Sequence, residues 1–265
     1  METDLGPTVR QTDLLDPARA HALFVALGHA TKVEAGDLLP PFFHQVYFWD
    51  PRIDSELGRD GHPVVGGLVP DMGLPRRMWA GGRMTFHAPI QIGQKASKTS
   101  VCEKAVHKSG RSGSLAFVTL RHEIWQNQCL CITEWQDLVY REDPEISRGV
   151  TSIQYADTNE EASVKISFNE TTLFRYSALT FNGHRIHYDQ NYAKAVEGYD
   201  GLVVHGPLLA QHLMLMAQQT FGTLKSFAFR ATSPLMHFEE ATLCQKGRKL
   251  WVRAPDGRLC MTAQI

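Results

Sequence analysis

Residues with acid–base chemistry are concentrated between positions 180 and 210, in the sequence TFNGHRIHYDQNYAKAVEGYDGLVVHGPLLA. His184, Arg185 and His187 lie in a polar segment before QNYAKAVE, a short predicted helix for which Asp189 is a favourable N-cap. Histidine is the side chain best suited to exchange protons near neutral pH. This segment is therefore a candidate proton-transfer loop, and the alternative is that its polar residues only cap helix ends.

A second predicted helix follows directly. Gly206 and Pro207 introduce PLLAQHLMLMAQQTF, which is apolar on nearly all faces and is therefore expected to be buried. The N–H groups of a first helical turn have no intrahelical partner and attract a developing oxyanion, and Gly206 has no side chain to block a substrate. We expect His205 to line this site, and His212 to be a core histidine within the helix.

Residues 57–82, LGRDGHPVVGGLVPDMGLPRRMWAGG, form a long segment interrupted by glycine and proline. A loop of this length in a compact protein is functional or disordered, and its bulky aromatic residue argues against disorder. Arg76 and Arg77 beside Trp79 could hold a phosphate or a carboxylate and stack on a flat ring. The alternative is a solvated basic turn with Trp79 in the core.

The remaining elements must position these residues. Asp16 and Pro17 predict the start of a helix that stops at Gly28, and residues 114–125 alternate with period 2, as in a half-buried strand. Further strands are predicted at 84–88, 98–108 and 130–140, and in the second half at 225–231, 237–245, 250–255 and 259–265. Residues 141–154 are predicted to be a linker.

Both halves thus combine a helical segment with about four antiparallel strands, which predicts an α+β fold and a tandem duplication. A buried helix in such a fold is most simply one around which a curved sheet wraps.

The composition excludes several classes of function. The formal net charge is −1, so bulk electrostatics favour neither nucleic acid nor an anionic membrane. The five cysteines are odd in number and lack CxxC spacing, so we expect free thiols rather than disulfides or a zinc site. The N-terminal sequence has no apolar h-region and no transit pattern, and no apolar run reaches membrane length. We therefore expect a soluble cytoplasmic protein.

The motifs FNGHRIHYDQNYA and GLVVHGPLLA resemble the hydratase signature of the MaoC-like hot-dog superfamily, in the branch that contains hydroxyacyl-thioester dehydratase type 2 and the itaconyl-CoA and mesaconyl-C4-CoA hydratases. Residues 76–87, 108–125 and 134–142 resemble the amino-terminal half of that branch. The resemblance implies a double hot dog, in which each half is an antiparallel sheet around a central helix. Residues 1–145 would form a half with a degenerate site that contributes substrate contacts, and residues 155–265 the half with the catalytic loop.

The superfamily signature reads D-x-N-P-[apolar]-H, and here His187 matches its histidine and Ile186 its apolar position. Asn182 stands in place of the aspartate, and Arg185 in place of the proline. An amide cannot exchange a proton at physiological pH, but its carbonyl can hold a water. The resemblance thus implies catalytic roles for His187, Asn182 and the Gly206 N–H. Substrate contacts are expected from His184, Arg185, His205, Arg76, Arg77 and Trp79.

The activity implied is addition of water to an enoyl-type CoA thioester, with itaconyl-CoA or mesaconyl-C4-CoA giving citramalyl-CoA. The alternatives are a 3-hydroxyacyl-thioester dehydratase of fatty-acid synthesis, a hot-dog thioesterase, or a non-catalytic acyl-thioester binding module. We expect a homodimer that needs no cofactor beyond its CoA thioester substrate and no metal, and that binds neither nucleic acid nor membrane.

Overall fold

The computed structural model of the chain describes residues 6–110, 113–143 and 153–265, and in these residues ten strands form one sheet. Every neighbouring pair of strands is antiparallel. The first half contributes β1 (Val9–Leu14), β2 (Arg76–Phe86), β3 (Lys95–Gly110), β4 (Gly113–Gln126) and β5 (Cys129–Arg141). The second half contributes β6 (Ala162–Ile166), β7 (Ser226–Ala231), β8 (Ala241–Lys246), β9 (Lys249–Arg253) and β10 (Leu259–Gln264).

The order of strands is β1-β3-β4-β5-β2-β7-β10-β9-β8-β6, so both halves have the same order when read from the outer edge inward. The halves meet where β2 pairs with β7, from Gly81 opposite Arg230 to Thr85 opposite Ser226. The repeated order agrees with the expected tandem arrangement. The predicted division between residues 145 and 155, and most of the predicted linker, fall in 144–152, outside the described residues, and stay predictions.

The predicted alternation in β4 is confirmed. Ala116, Val118, Leu120 and Ile124 are buried, while the residues between them are partly exposed. One face of this strand therefore packs into the interior, as period 2 requires.

The start of β2 differs from the prediction. The strand begins at Arg76, so the basic pair and Trp79 lie on a strand and not in a loop. Gly81 and Gly82 lie in the segment predicted to be a loop, but here they permit close strand approach. An added Cβ would lie 2.6 Å from the carbonyl oxygen of Phe229 at Gly81 and 2.7 Å from that of Trp135 at Gly82. These contacts accompany a shift of the β2–β5 register between Trp79 and Gly81.

The strands β1 and β6 were not predicted. They form the two edges of the sheet, and β6 is almost entirely exposed. Edge strands bury little apolar surface, so their sequences carry a weak hydrophobic pattern.

Four α-helices occur in the described residues: α1 (Pro17–Ala26), α2 (Glu170–Thr180), α3 (Gln190–Ala195) and α4 (Gly206–Phe221). The predicted caps are present, since Asp16 accepts a hydrogen bond from Ala18 N and Asp189 one from Tyr192 N. The helix α4 is the predicted central helix. Its Leu208, Leu213 and Met214 are fully buried, and it packs against β2, β7, β9 and β10.

In the N-terminal half, the described helical segments that enter the core are shorter. They are α1 and a 3₁₀-helix at Phe43–Val46. Within the described ranges, no helix combines the length and apolarity needed to cross a membrane.

Candidate active site

The loop after α2 begins with a reversal of the chain at Phe181, whose backbone is left-handed with φ 52°. Asn182 donates its backbone N–H to Ser177 O, and its side-chain Oδ1 accepts the backbone N–H of His184 at 3.0 Å. A 3₁₀-helix at Arg185–His187 follows. Asn182 thus shapes the loop that carries the histidines, and one of the two acceptor positions on its carbonyl oxygen is already used.

His187 is buried, and its Nδ1 lies 2.7 Å from the carbonyl oxygen of Val203. Because a carbonyl can only accept, Nδ1 must carry the proton, and Nε2 keeps a lone pair when the ring is neutral. Burial lowers the pKa of His187 to about 3, although the hydrogen bond to Val203 opposes this shift. The ring is therefore a neutral base at physiological pH.

His205 stacks on His187, with ring centroids 3.6 Å apart and planes 19° from parallel. His205 is fully buried, and its Nε2 lies 2.8 Å from Ser177 Oγ, whereas its buried Nδ1 has no hydrogen-bond partner among the described residues. Burial, followed by the charges of His187 and His184, holds the pKa of His205 well below its usual value. The stack fixes the plane of the His187 ring.

The N-terminus of α4 begins directly after this stack. His205 is the residue before Gly206, and Pro207 occupies the first turn. Gly206 remains partly accessible to solvent. If a Cβ were added to this glycine, its nearest neighbour would be the Trp79 carbonyl oxygen, at 3.7 Å. The predicted oxyanion site and the predicted proton-transfer group are therefore adjacent.

The remaining cluster histidine, His184, joins the two halves of the chain. Its ring contacts His187 edge to face at a centroid distance of 5.3 Å, and it contacts His62 at 4.3 Å. His184 is buried, and burial, followed by the charges of His62 and His187, lowers its pKa. Four imidazoles thus form a continuous row from His62 to His205.

His62 and Asp60 come from the 57–82 segment, and the sequence interpretation did not single them out. His62 Nδ1 lies 2.9 Å from Asp60 Oδ2, and His62 N donates to Asp60 Oδ1 at 3.0 Å. The available signal was the run RDGH, an aspartate and a histidine on either side of a glycine. Nothing in the sequence alone placed that run beside residues 182–187.

Asp60, His62 and His184 could together hold a metal ion, because one ligand atom from each lies within 4.8 Å of the others. However, Asp60 and His62 are already hydrogen-bonded to each other. The positive charge of Arg77 also acts on all three groups. A nearby guanidinium opposes a cation, so the residues present fit a carboxylate–imidazole pair better than a metal site.

The predicted substrate-binding residues of β2 separate into different environments. Arg76 is buried, and its Nε lies 2.5 Å from Glu197 Oε2. The guanidinium thus already holds an internal carboxylate, and the expected contact of Arg76 with a phosphate or a substrate carboxylate stays a prediction. Trp79 donates Nε1–H to Gly81 O and packs against the core, which is the alternative left open for it. Arg77 is half-buried, and its charge acts on Asp60, His62 and His184.

Arg185 and Asp189 form an ion pair. Arg185 Nη2 lies 2.7 Å from Asp189 Oδ2, and the guanidinium packs over the Tyr192 ring at 4.3 Å. The predicted capping role of Asp189 is confirmed, and Arg185 in this position supports the loop.

His212, expected in the core, is buried in α4 and contacts Phe168.

Comparison with known proteins agrees with this arrangement. The chain matches the family model of hydroxyacyl-thioester dehydratase type 2 over residues 42–237. It is 40% identical to a mesaconyl-C(4)-CoA hydratase of Chloroflexus aurantiacus over 267 residues, which cover 98% of this chain and 95% of the relative.

Solved structures show the same fold at low identity. The crystal structure of HtdX from Mycobacterium tuberculosis superposes with a TM-score of 0.69 and 18% identity, covering 97% of this chain and 98% of the other. Another protein of M. tuberculosis, described as a double hot-dog fold, gives a TM-score of 0.61 at 12% identity, covering 99% and 96%. The expected tandem hot-dog architecture is thereby confirmed. The chain belongs to the hydroxyacyl-thioester dehydratase type 2 family, a group of MaoC-like hot-dog hydratases and dehydratases.

Proposed function

We propose that the protein is a hydro-lyase that adds water across the double bond of an enoyl-type CoA thioester, with mesaconyl-C4-CoA or itaconyl-CoA giving citramalyl-CoA. One observation carries this proposal: the neutral base His187 stacks on His205, the residue that directly precedes the open helix N-terminus at Gly206. A base and an oxyanion site side by side are what hydration of a conjugated thioester requires.

In this mechanism, written for mesaconyl-C4-CoA with its conjugated double bond, His187 Nε2 takes a proton from water as the water oxygen bonds to the β-carbon of the substrate. The same proton then returns to the α-carbon, so the ring ends the cycle neutral. Asn182 would orient the water by donating a hydrogen bond from its side-chain amide group to the water oxygen, since its Oδ1 already accepts the His184 N–H.

Negative charge builds up on the thioester oxygen when water adds to the β-carbon. The backbone N–H of Gly206, with the partial positive charge of the α4 N-terminus behind it, would stabilise this oxygen. In the described residues, no backbone hydrogen bond takes up this N–H. Because α4 is buried and rigidly packed, the donor is oriented before the substrate arrives.

The choice of a C5 dicarboxylic acyl group rests on the 40% identical mesaconyl-C(4)-CoA hydratase and on Arg77. Arg77 is half-buried, and its charge acts on His62 and His184. A cation beside the catalytic histidines would bind the free carboxylate of mesaconyl-C4-CoA or itaconyl-CoA, which crotonyl-CoA lacks.

The test is incubation of the pure protein with mesaconyl-C4-CoA, itaconyl-CoA and crotonyl-CoA, with products identified by mass. A gain of 18 daltons on the dicarboxylic thioesters, in preference to crotonyl-CoA, is the expected result. Free CoA without hydrated product would identify a thioesterase, and binding without turnover a non-catalytic module. Either of these two results would overturn the proposal.

The name of the matched family favours a second candidate, a 3-hydroxyacyl-thioester dehydratase. The same residues would then remove water from a 3-hydroxyacyl thioester. Faster turnover of a 3-hydroxyacyl thioester than of either dicarboxylic substrate would identify it. The homodimer and the cytoplasmic location stay predictions.

A further inference from the structure

The loop that carries His187 lacks a free carboxylate. Asn182 stands where the related signature has aspartate, and Asp189 is engaged both as the cap of α3 and in an ion pair with Arg185. An enzyme that moves a proton in a buried site benefits from a carboxylate that fixes the tautomer of an imidazole. The structure contains such a pair in the other half of the chain, Asp60 and His62.

The hydrogen bond between these residues defines the tautomer of His62. Burial raises the pKa of Asp60, but the side-chain and backbone hydrogen bonds from His62 and the charge of Arg77 act in the opposite direction, so the pKa is lowered and the carboxylate is ionised. An ionised carboxylate can only accept, so His62 Nδ1 carries the proton. The hydrogen bond of the His62 ring to another described residue is the one at Nδ1, and none is formed by the opposite ring nitrogen, Nε2. His62 therefore presents an acceptor.

The pair is held against the catalytic loop by backbone contacts. Arg185 donates its backbone N–H to Asp60 O at 2.9 Å. Gly61 and Gly183 approach so closely that an added Cβ at Gly61 would lie 2.0 Å from the Gly183 carbonyl oxygen. The His62 ring then contacts His184, which contacts His187. Two segments more than a hundred residues apart are thus locked together at this point.

The charge state of His62 also suits an acceptor. Burial, followed by the charge of Arg77, lowers its pKa to about 4, although the hydrogen bond to Asp60 opposes the shift. The ring is consequently neutral at physiological pH, and Nε2 keeps its lone pair.

We propose that His62, oriented by Asp60, is a further catalytic residue of the site, whose Nε2 accepts a hydrogen bond from the attacking water beside His187. This rests on the proposed hydration. One O–H bond of the water breaks as its oxygen bonds to the β-carbon, and that proton moves to His187 and then to the α-carbon. The other O–H bond donates to His62 and remains in the product as the hydroxyl group.

The variant Asp60→Asn tests the tautomer. An asparagine keeps an oxygen to accept His62 N, so the turn is retained, but its amide group can donate to His62 Nδ1 and reverse the tautomer. We expect kcat to fall about 10- to 100-fold with little change in KM, because the water is misplaced while substrate contacts remain. Asp71→Asn is the matched control, since Asp71 accepts Gly73 N in the same kind of turn without a histidine partner.

Two substitutions of His62 separate chemistry from structure. His62→Ala removes the acceptor, whereas His62→Gln restores a carbonyl oxygen near the position of Nε2. We expect His62→Gln to keep more activity than His62→Ala, and the exposed control His107→Gln to match the wild type. Equal activity of the wild type and both His62 variants would overturn the proposal.

A readout without turnover separates this proposal from the proposed function. Imidazole ¹⁵N spectra should show His62 protonated at Nδ1 in the wild type and at Nε2 in Asp60→Asn. A wild-type His62 protonated at Nε2 would overturn the inference even if hydration is confirmed. Absence of hydration by the wild type would overturn the proposed function itself.

Discussion

The imidazole rings of His187 and His205 are stacked at a centroid distance of 3.6 Å, with an angle of 19° between their planes. Two protonated rings would repel each other strongly at this distance, and the burial of both already lowers their pKa values. The stack therefore keeps both rings neutral in the resting protein. His205, tied to Ser177, holds His187 in place rather than competing with it for protons.

The first prediction concerns His187. Replacement by alanine should lower kcat by about 10²- to 10⁴-fold, the usual effect of removing a proton-transfer group. The measurement is hydration of mesaconyl-C4-CoA, with circular dichroism to verify the fold and the exposed His107→Ala as control. Near-complete activity of His187→Ala would refute its assignment as the base.

A second prediction concerns stability against pH. Burial lowers the pKa of His122 and His212 to about 4, as it does for His62, and that of His187 to about 3. Between pH about 6.5 and 4 the unfolded chain therefore binds more protons than the folded one, and the free energy of unfolding falls as the pH falls. Each such imidazole contributes a slope of up to about 1.4 kcal/mol per pH unit.

Urea unfolding at several pH values in this range measures that slope. His122→Gln should reduce it by about one proton, because one buried imidazole is removed. His107→Gln should leave it unchanged, since His107 is exposed. An identical slope in His122→Gln and the wild type would show that His122 does not titrate as expected.

The sequence could place the residues of the C-terminal part of the candidate site together because they are close in the chain. Asn182, His187 and Gly206 lie within one stretch, and the cap at Asp189 and the apolar helix are local patterns. Asp60 and His62 could not be placed in the same way. Their position depends on the contact of Gly61 with Gly183, a tertiary pairing for which the chain has no local signal.

Arg76 illustrates a different limit. Two arginines beside a tryptophan are a reasonable pattern for anion binding, but the anion that Arg76 holds is Glu197, 121 residues away. The neighbouring glycines also hid the strand, because they mark close backbone approach and not a turn. A charged pattern in sequence thus does not tell whether the partner is a ligand or another part of the chain.

A third prediction follows from the glycine contact. Gly61→Ala would force a Cβ to within 2.0 Å of Gly183 O, and Gly61 also has φ +84°. The loop should separate from residues 182–187, with a loss of activity of about 10²-fold from misplacement of the site. Gly66→Ala is the matched control, because Gly66 has φ +106° but no atom lies within 4 Å of the place that its added Cβ would take.

Both variants carry the backbone strain of a positive φ, so the difference between them isolates the contact. The measurements are kcat and the thermal midpoint of each variant. Equal activities of Gly61→Ala and Gly66→Ala would mean that the approach of the two loops is not needed for catalysis.

A fourth prediction concerns the buried pair of Arg76 and Glu197. Glu197→Ala leaves the Arg76 charge uncompensated in the interior, so the free energy of unfolding should fall by about 3–5 kcal/mol. Glu240→Ala removes one partner of the exposed pair with Lys165 and should change stability little. Chemical unfolding measures the free energy of unfolding of both variants. A decrease for Glu197→Ala no larger than that for Glu240→Ala would contradict the prediction.

The last prediction separates the two arginines of β2 by their environments. Arg76 is paired with Glu197, whereas Arg77 is half-buried and its charge acts on Asp60, His62 and His184. If Arg77 binds the free carboxylate of the substrate, Arg77→Met should raise KM for mesaconyl-C4-CoA and itaconyl-CoA by about tenfold or more, the equivalent of about 1.4 kcal/mol. The same variant should leave KM for crotonyl-CoA nearly unchanged, because that substrate has no carboxylate. Arg83→Met on the same strand is the control, since Arg83 is exposed and packs over Trp135. An equal rise in KM for all three thioesters would instead assign Arg77 to the CoA portion, which they share.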